Sequence, residues 1–307
     1  MAKITRPTRP LADVNVIPNP DGSHEVVVCF MPDPDMIVGE GTSSAYLALD
    51  ASTSLKKMYG FGGPFGGDPN YVQGVARKLG SILTSVTKSG RISAIYWAVS
   101  PDGGKIEEIG EFDEEGFSKA IIAGPKKEKW GKGTKILPAI KYGVEKLASQ
   151  SDWTMGIILT DGIIEDEQDS LNYCLQVGKE ILAGNLKPLK LVLIGIGEEV
   201  DEDQLERFDD MFEGSGIDYD LWSHGMVASM QDEADILAVL YGELITEDTM
   251  VAPRGHVEDS TGRQLITWTD GVPGKFRFNL PKGESKFILR TSVQDIEQDV
   301  SEAIGRP

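Results

Sequence analysis

Apolar and polar positions along the chain change rhythm three times. Asp13–Ile17 and Glu25–Met31 read as two short strands about a turn at Asn19-Pro20-Asp21-Gly22. A break follows at Pro32-Asp33-Pro34-Asp35 and Gly39-Glu40-Gly41. From Ala45 to Ile245 unbroken apolar runs alternate with stretches of helical spacing. Ala45–Leu49, Ile92–Val99, Met155–Thr160 and Leu189–Ile196 have no polar alternation, as expected of strands buried on both faces. Lys105–Ile109 alternates and suits a sheet edge, and Ile217–Trp222 completes a set of six strands. Between them the spacing predicts helices over Tyr71–Thr87, Asp113–Ile122, from Pro138 onward, Ser170–Leu182, Asp201–Phe212 and Gln231–Ile245. From Met250 the period falls to two. Met250–Val257, Gln264–Thr269, Lys275–Leu280 and Lys286–Ser292 are then strands of an antiparallel meander, and Gln294–Ile304 a short closing helix.

Strand–helix alternation calls for a mostly parallel, doubly wound six-stranded sheet with helices on both faces. The expected divisions are a hairpin at 11–43 contributing to a flanking β domain, an α/β domain at 44–247, a β-rich domain at 248–293, and a helix or tail at 294–307. In the common strand order 3-2-1-4-5-6 the first and fourth strands are neighbours, and ligands bind outside their carboxyl ends. Asp50 ends the first strand and Asp161 follows the fourth, so the two acids are expected to meet there.

Charge narrows the partners. Lys and Arg number 30 against 49 acids, a net charge of -19. That disfavours nucleic acid, whose binders carry a basic footprint, and an anionic membrane surface. No apolar run is long enough for a membrane span or a signal-peptide core. The two cysteines, Cys29 and Cys174, sit among apolar neighbours and read as buried free thiols. A cytoplasmic protein is the expectation.

Candidate chemistry clusters at three stretches. Asp50-Ala51-Ser52-Thr53-Ser54 puts a carboxylate and two hydroxyls at alternate positions. This is half of a hard-cation site, or a turn that caps the next helix. Thr134 follows the lysine-rich loop Gly124–Gly133, where it either faces the same crevice or caps a helix. Asp161-Gly162 repeats the logic of Asp50. The glycine-rich loop Met58–Asn70 carries Tyr59, Phe61 and Phe65 but lacks the Lys and Ser/Thr of a phosphate-binding loop. With Trp130 and Lys132, Tyr59 and Phe61 are candidate partner contacts. His24, His224 and His256 lie far apart and in no catalytic motif, so no enzyme is expected.

Asp50-x-Ser52-x-Ser54, Gly133-Thr134 and Thr160-Asp161-Gly162 together resemble the metal-ion-dependent adhesion site of the von Willebrand factor type A family, intracellular bacterial type. The resemblance spans about 44–246. It implies that Ser52, Ser54 and Thr134 bind magnesium (manganese or calcium in its place) directly, with Asp50 and Asp161 acting through water. It further implies magnesium-dependent capture of a protein partner's Asp or Glu. The family-level expectation is an adaptor in a cytoplasmic stress-response system, such as tellurite resistance, or an ATPase-linked complex. The alternative is a metal-dependent phosphatase or other hydrolase using Asp50 and Asp161.

Overall fold

Ala45–Leu49 lies wholly inside the protein, with less than 3% of any of its residues exposed. What surrounds it is seen in a computed structural model that describes residues 2–4, 7–30, 42–62, 68–85, 87–228, 236 and 250–305. The chain divides into two units, Met1–Ile37 with Leu240–Pro307, and Val38–Val239. The strands in chain order are β1 (Ala2–Lys3), β2 (Leu11–Pro18), β3 (His24–Phe30), β4 (Ser43–Asp50), β5 (Arg91–Val99), β6 (Lys105–Asp113), β7 (Trp153–Thr160), β8 (Leu189–Ile196) and β9 (Trp222–Val227). They continue as β10 (Met250–Ala252), β11 (Gly255–Asp259), β12 (Gln264–Trp268), β13 (Val272–Pro273), β14 (Lys275–Leu280), β15 (Lys286–Thr291) and β16 (Asp295–Asp299). The helices are α1 (Tyr71–Ser85), α2 (Glu114–Lys119), α3 (Leu137–Lys141), α4 (Glu167–Leu182), α5 (Glu202–Asp209) and α6 (Ser301–Ile304).

The second unit is mixed α/β around a six-stranded sheet of order β6-β5-β4-β7-β8-β9. β4, β5, β7, β8 and β9 run parallel, and β6 is antiparallel at the edge. Tyr46 and Ala48 of β4 join Ile158, Leu191 and Leu193 of neighbouring strands in one apolar cluster. Ile140 of α3, Val177 of α4 and Phe208 of α5 pack into it. The Tyr46 ring fits because Gly156 on β7 and Gly143 after α3 carry no side chain. A Cβ at Gly156 would fall 2.3 Å from the ring, and one at Gly143 2.7 Å. On α1, Val72, Val75, Leu79 and Leu83 form the buried stripe, while Gly80 leaves room for Phe117 of α2.

Several elements begin where local hydrogen bonds allow rather than where periodicity stops. Asp113 and Asp201 cap α2 and α5, each accepting a backbone N–H three residues on. α3 starts at Leu137, with Pro138 in its first turn, where a missing N–H costs nothing. Its free N–H groups are taken from afar: the Asp166 carboxylate accepts from Ile136 N and Leu137 N at 2.8 and 3.0 Å. The strand expected at Ile217–Trp222 instead begins at Trp222. Tyr219 occupies β8 with its side chain, its hydroxyl bonding Leu189 N and Leu189 O at 2.8 and 2.7 Å.

The first unit holds two four-stranded antiparallel sheets, β1-β2-β3-β14 and β12-β11-β15-β16, and the short pair β10-β13. A single meander does not form, because β14 pairs with β3 of the N-terminal hairpin rather than with its chain neighbours. Val14, Val26, Val28 and Phe278 from one sheet and Val257, Phe287, Leu289 and Ile296 from the other share one apolar cluster. Of the helix expected over Gln294–Ile304 only Ser301–Ile304 is helical, as α6, and Asp295–Asp299 is strand β16. Ile296, Gln298 and Val300 are buried while Asp295, Glu297 and Asp299 are exposed, a period of two. The expected break at 32–41, Phe65, and the helix Gln231–Ile245 apart from Ile236 lie outside the described residues.

The Tyr46 pocket gives a direct check. Gly156→Ala is expected to destabilise the protein by about 1–3 kcal/mol through overpacking against the ring, read as a lower urea midpoint. An unchanged midpoint would mean that the ring has room to move.

Candidate functional site

Parallel pairing of β4 with β7 sets Leu49 opposite Leu159, so the next residues, Asp50 and Thr160, are side by side. Thr160 Oγ1 donates to Asp50 Oδ2 at 3.1 Å, and Ser52 N donates to Asp50 Oδ1 at 2.7 Å. Above this buried carboxylate, the Ser52 and Ser54 hydroxyls are 2.9 Å apart. Ser54 Oγ donates to Asp161 Oδ1 at 3.0 Å, and Ser52 Oγ reaches the same oxygen at 3.5 Å. Four of the five expected residues therefore meet. Thr134 stands beside them, its Oγ1 3.8 Å from where a Cβ on Gly162 would lie. Among the described residues no hydrogen bond joins its hydroxyl to the other four.

The loop carrying Thr134 is fixed by its backbone. Thr53 N and Thr53 Oγ1 donate to Gly131 O at 2.8 and 2.7 Å, and Gly131 N donates to Ala51 O at 3.2 Å. Gly131 admits no side chain, since a Cβ there would fall 2.0 Å from Ala98 O. A Cβ on Gly103, at φ +70°, would similarly fall 1.9 Å from Gly133 O. Ala98 and Ser100, which line this approach, hold left-handed φ of 54° and 77°, a strained choice for residues with a Cβ. Farther along, the Glu107 carboxylate accepts from Lys126 N, Lys127 N and Glu128 N at 2.8, 2.9 and 2.7 Å. Burial opposes its charge, yet those three N–H groups hold Glu107 below its ordinary value.

Burial and the neighbouring Asp161 charge push Asp50 up to about 7, against the N–H and hydroxyl groups of Ser52 and Thr160. Asp161 is also raised, by burial and by Glu199, against the Ser54 hydroxyl. Asp161 lines a hollow of about 620 Å³ together with Ser54, Lys56, Lys57, Phe61 and Glu199.

The expected partner contacts separate. Phe61 is 58% exposed and Lys132 is exposed. Trp130 is half-buried, its ring 5.9 Å from Phe61 with the Lys56 ammonium 5.5 Å above it. Tyr59 is corrected: it is 3% exposed, because its hydroxyl donates to Asp50 O at 2.8 Å and its ring packs edge-on against Trp130. It supports the site from beneath and offers no surface to a partner. Thr160, Lys56 and Glu107 were not expected in supporting roles. Thr160 stood beside Asp161 in the motif. Glu107 gave no signal, since the N–H groups it holds come about twenty residues later in the chain.

No family model and no curated protein matches the chain. Solved structures similar to it include the pilus adhesin SpaC from Lactobacillus rhamnosus GG, at 10% identity and TM-score 0.42, covering 94% of this chain. This chain spans 48% of that adhesin's length. The PilB minor pilin from Streptococcus sanguinis is similar at 11% identity and TM-score 0.40, with 75% of this chain and 77% of the pilin covered.

These findings correct the expected membership in the von Willebrand factor type A family. The similar solved structures are pilus adhesin and minor pilin chains. Among the described residues no three His, Cys, Asp or Glu side chains are grouped to hold a metal ion. The physical reason is local. Asp50 accepts from Ser52 N, and the serine hydroxyls bond each other and Asp161, which is how Asp and Ser serve in turns. The metal-ion-dependent adhesion site, the magnesium-dependent adaptor role and the phosphatase alternative are withdrawn with the family. The cytoplasmic expectation is withdrawn too, since the similar structures are pilus components.

Two measurements check this geometry. An unfolded aspartate titrates near about 4, so a folded value of about 7 means that the folded state holds the extra proton. Stability is then lost as pH rises between those two values. In urea titrations the wild type should weaken between pH 5 and pH 8 relative to Asp50→Asn; parallel curves would remove the raised carboxyl. Glu107→Gln turns an amide toward three N–H donors, and hydrogen exchange at Lys126–Glu128 should speed up by at least about tenfold. Unchanged exchange there would show that the loop is held by other means.

Proposed function

We propose that this chain is a non-catalytic binding module of the adhesion type, with its contact surface at the carboxyl ends of β4 and β7. The observation that carries this reading is the crevice itself. Ser52, Ser54 and Asp161 close on one another above a buried Asp50, at a hollow edged by the exposed Phe61. Such a place offers an apolar anchor beside polar groups, the composition of a contact surface. A binding role is supported over catalysis because these hydroxyls face carboxylates and each other rather than an imidazole. His224 pairs with Asp209 and His256 with Glu258. The same reading takes the six-stranded sheet as doubly wound, with α1 against β4 and β5 and α3 to α5 on the other face.

The proposed partner is a protein segment presenting Asp or Glu beside an apolar residue. Lys56 and Lys57 in the hollow and Lys132 nearby would meet its charge, and Phe61 and Trp130 its apolar side chain.

On an array of acidic and basic peptides with varied apolar neighbours, the full chain should retain the acidic set. Phe61→Ser and Lys132→Glu should each cut retention by about fivefold or more. Equal retention of both sets, or variants that behave as wild type, would sink the proposal. Magnesium, manganese and calcium, each added and then chelated, form a separate arm of the same assay. A change in retention with one ion supports an ion among the crevice oxygens, and none with any ion removes it.

A further inference from the structure

After Asp161 and Gly162 come two isoleucines in a row, and the structure treats them oppositely. Ile164 is buried and joins Cys174 and Val177 of α4 in the cluster that contains Tyr46 and Ile158. Ile163 is 58% exposed. Its neighbours hold it out. The buried Gln204 side chain grips Ile164 at both backbone groups: Ile164 N donates to Gln204 Oε1 at 2.7 Å, and Gln204 Nε2 donates to Ile164 O at 2.9 Å. Gln204 Nε2 also donates to Glu167 Oε2 at 2.8 Å, and Arg207 holds Glu167 through two bonds, at 2.6 and 3.0 Å. Just beyond, Glu165 N donates to Thr134 O at 2.9 Å. On the near side, Asp161 accepts from Ser54 Oγ at 3.0 Å. Ile163 therefore projects from a short segment tethered before and after it.

A single exposed isoleucine is ordinary on a protein surface. This one has a counterpart. Phe61, exposed to the same extent, edges the hollow in the chain that leads from β4 to α1. Ile163 stands in the chain that leads from β7 to α4. β4 and β7 are adjacent strands, and the bond from Ser54 to Asp161 joins these two connections at their roots. The carboxylate and hydroxyls of the crevice thus lie between two apolar side chains, one carried by each connection.

We propose that Ile163 is a second apolar anchor of the crevice, and that the partner is a protein segment whose Asp or Glu has an apolar residue on each side. This rests on the crevice reading given above and goes further by naming the pattern of the partner. One apolar neighbour meets Phe61 and Trp130. The acid meets Lys56 and Lys57, which line the hollow. The other apolar neighbour meets Ile163. A side chain on a backbone that is already fixed gives up little freedom when a partner covers it, so more of the apolar contact survives as affinity. Gln204 is the positioning residue for this anchor, since its amide fixes the backbone beside it.

Peptides carrying one acid with one apolar neighbour, or with one on each side, test this on the full chain. The two-neighbour peptides should be retained about fivefold or more above the one-neighbour set. Ile163→Ser, at an exposed position, should erase that advantage with an unchanged urea midpoint, and Ile163→Leu should keep it. Leu182→Ser removes an equally exposed apolar side chain at the far end of α4 and should bind as the wild type does. Equal retention of the two sets, or an Ile163→Ser variant that still prefers the two-neighbour set, overturns the anchor. If the acidic peptides are still held and Phe61→Ser still weakens them, the crevice reading stands without it. A loss in Leu182→Ser as large as in Ile163→Ser means general apolar adhesion and also overturns it. If no acidic peptide is retained at all, the crevice reading fails and the anchor with it.

Discussion

The parallel pairing of β4 with β7 is the constraint on which the crevice depends. It sets Leu49 against Leu159, and so brings Asp50 beside Thr160 and Asp161 though 110 residues separate Asp50 from Thr160. Both strands are apolar almost throughout and stay in the interior, which carries the Asp50 carboxylate inside with them. An isolated buried charge is costly, and the structure offsets it with one backbone N–H and one hydroxyl. The compensation is partial, so Asp50 keeps its proton up to about neutrality. Packing thus decides the charge state of the site.

The second support is backbone against backbone. The segment between Gly124 and Thr134 is rich in glycine and lysine, a composition that by itself reads as a mobile surface loop. Here its N–H and C=O groups are fixed by Glu107, by Ala51 and Thr53, and by the close approach of Gly131 and Gly133 to Ala98 and Gly103. Tethering the main chain leaves the lysine side chains free to face solvent, which suits a rigid, charged rim. Ala98 and Ser100, beside that approach, are in the left-handed region, and Ser100 N donates to Lys129 O of the same loop at 2.8 Å.

The two units carry hollows of different character. Carboxylates, hydroxyls and the lysines Lys56 and Lys57 line the one at the end of the six-stranded sheet, and Arg254, His256, Arg290 and hydroxyls line the one on the antiparallel sheet. Neither arrangement follows from the net charge of -19, which is a sum over the whole surface. What a partner meets is the local set of groups.

Hydrophobic rhythm alone determined which stretches of the second unit are buried strands, because an apolar run with no alternation has no face to give to water. The positions of Asp50 and Asp161 at strand ends followed from the same reading. Tertiary structure decided the rest. Periodicity says which side of a strand is buried but not which strand lies beside it, so the N-terminal hairpin was expected in the β domain but β14 was not identified as the strand it pairs with. Short amphipathic stretches fit either period, and β16 was misread as helix until its neighbours in the sheet fixed its faces. Tyr59 looked like a loop aromatic, and only the Asp50 carbonyl and the Trp130 ring made it a buried prop. The use of the Ser52 and Ser54 hydroxyls likewise depends on what stands within 3 Å of them, which spacing along a chain does not contain.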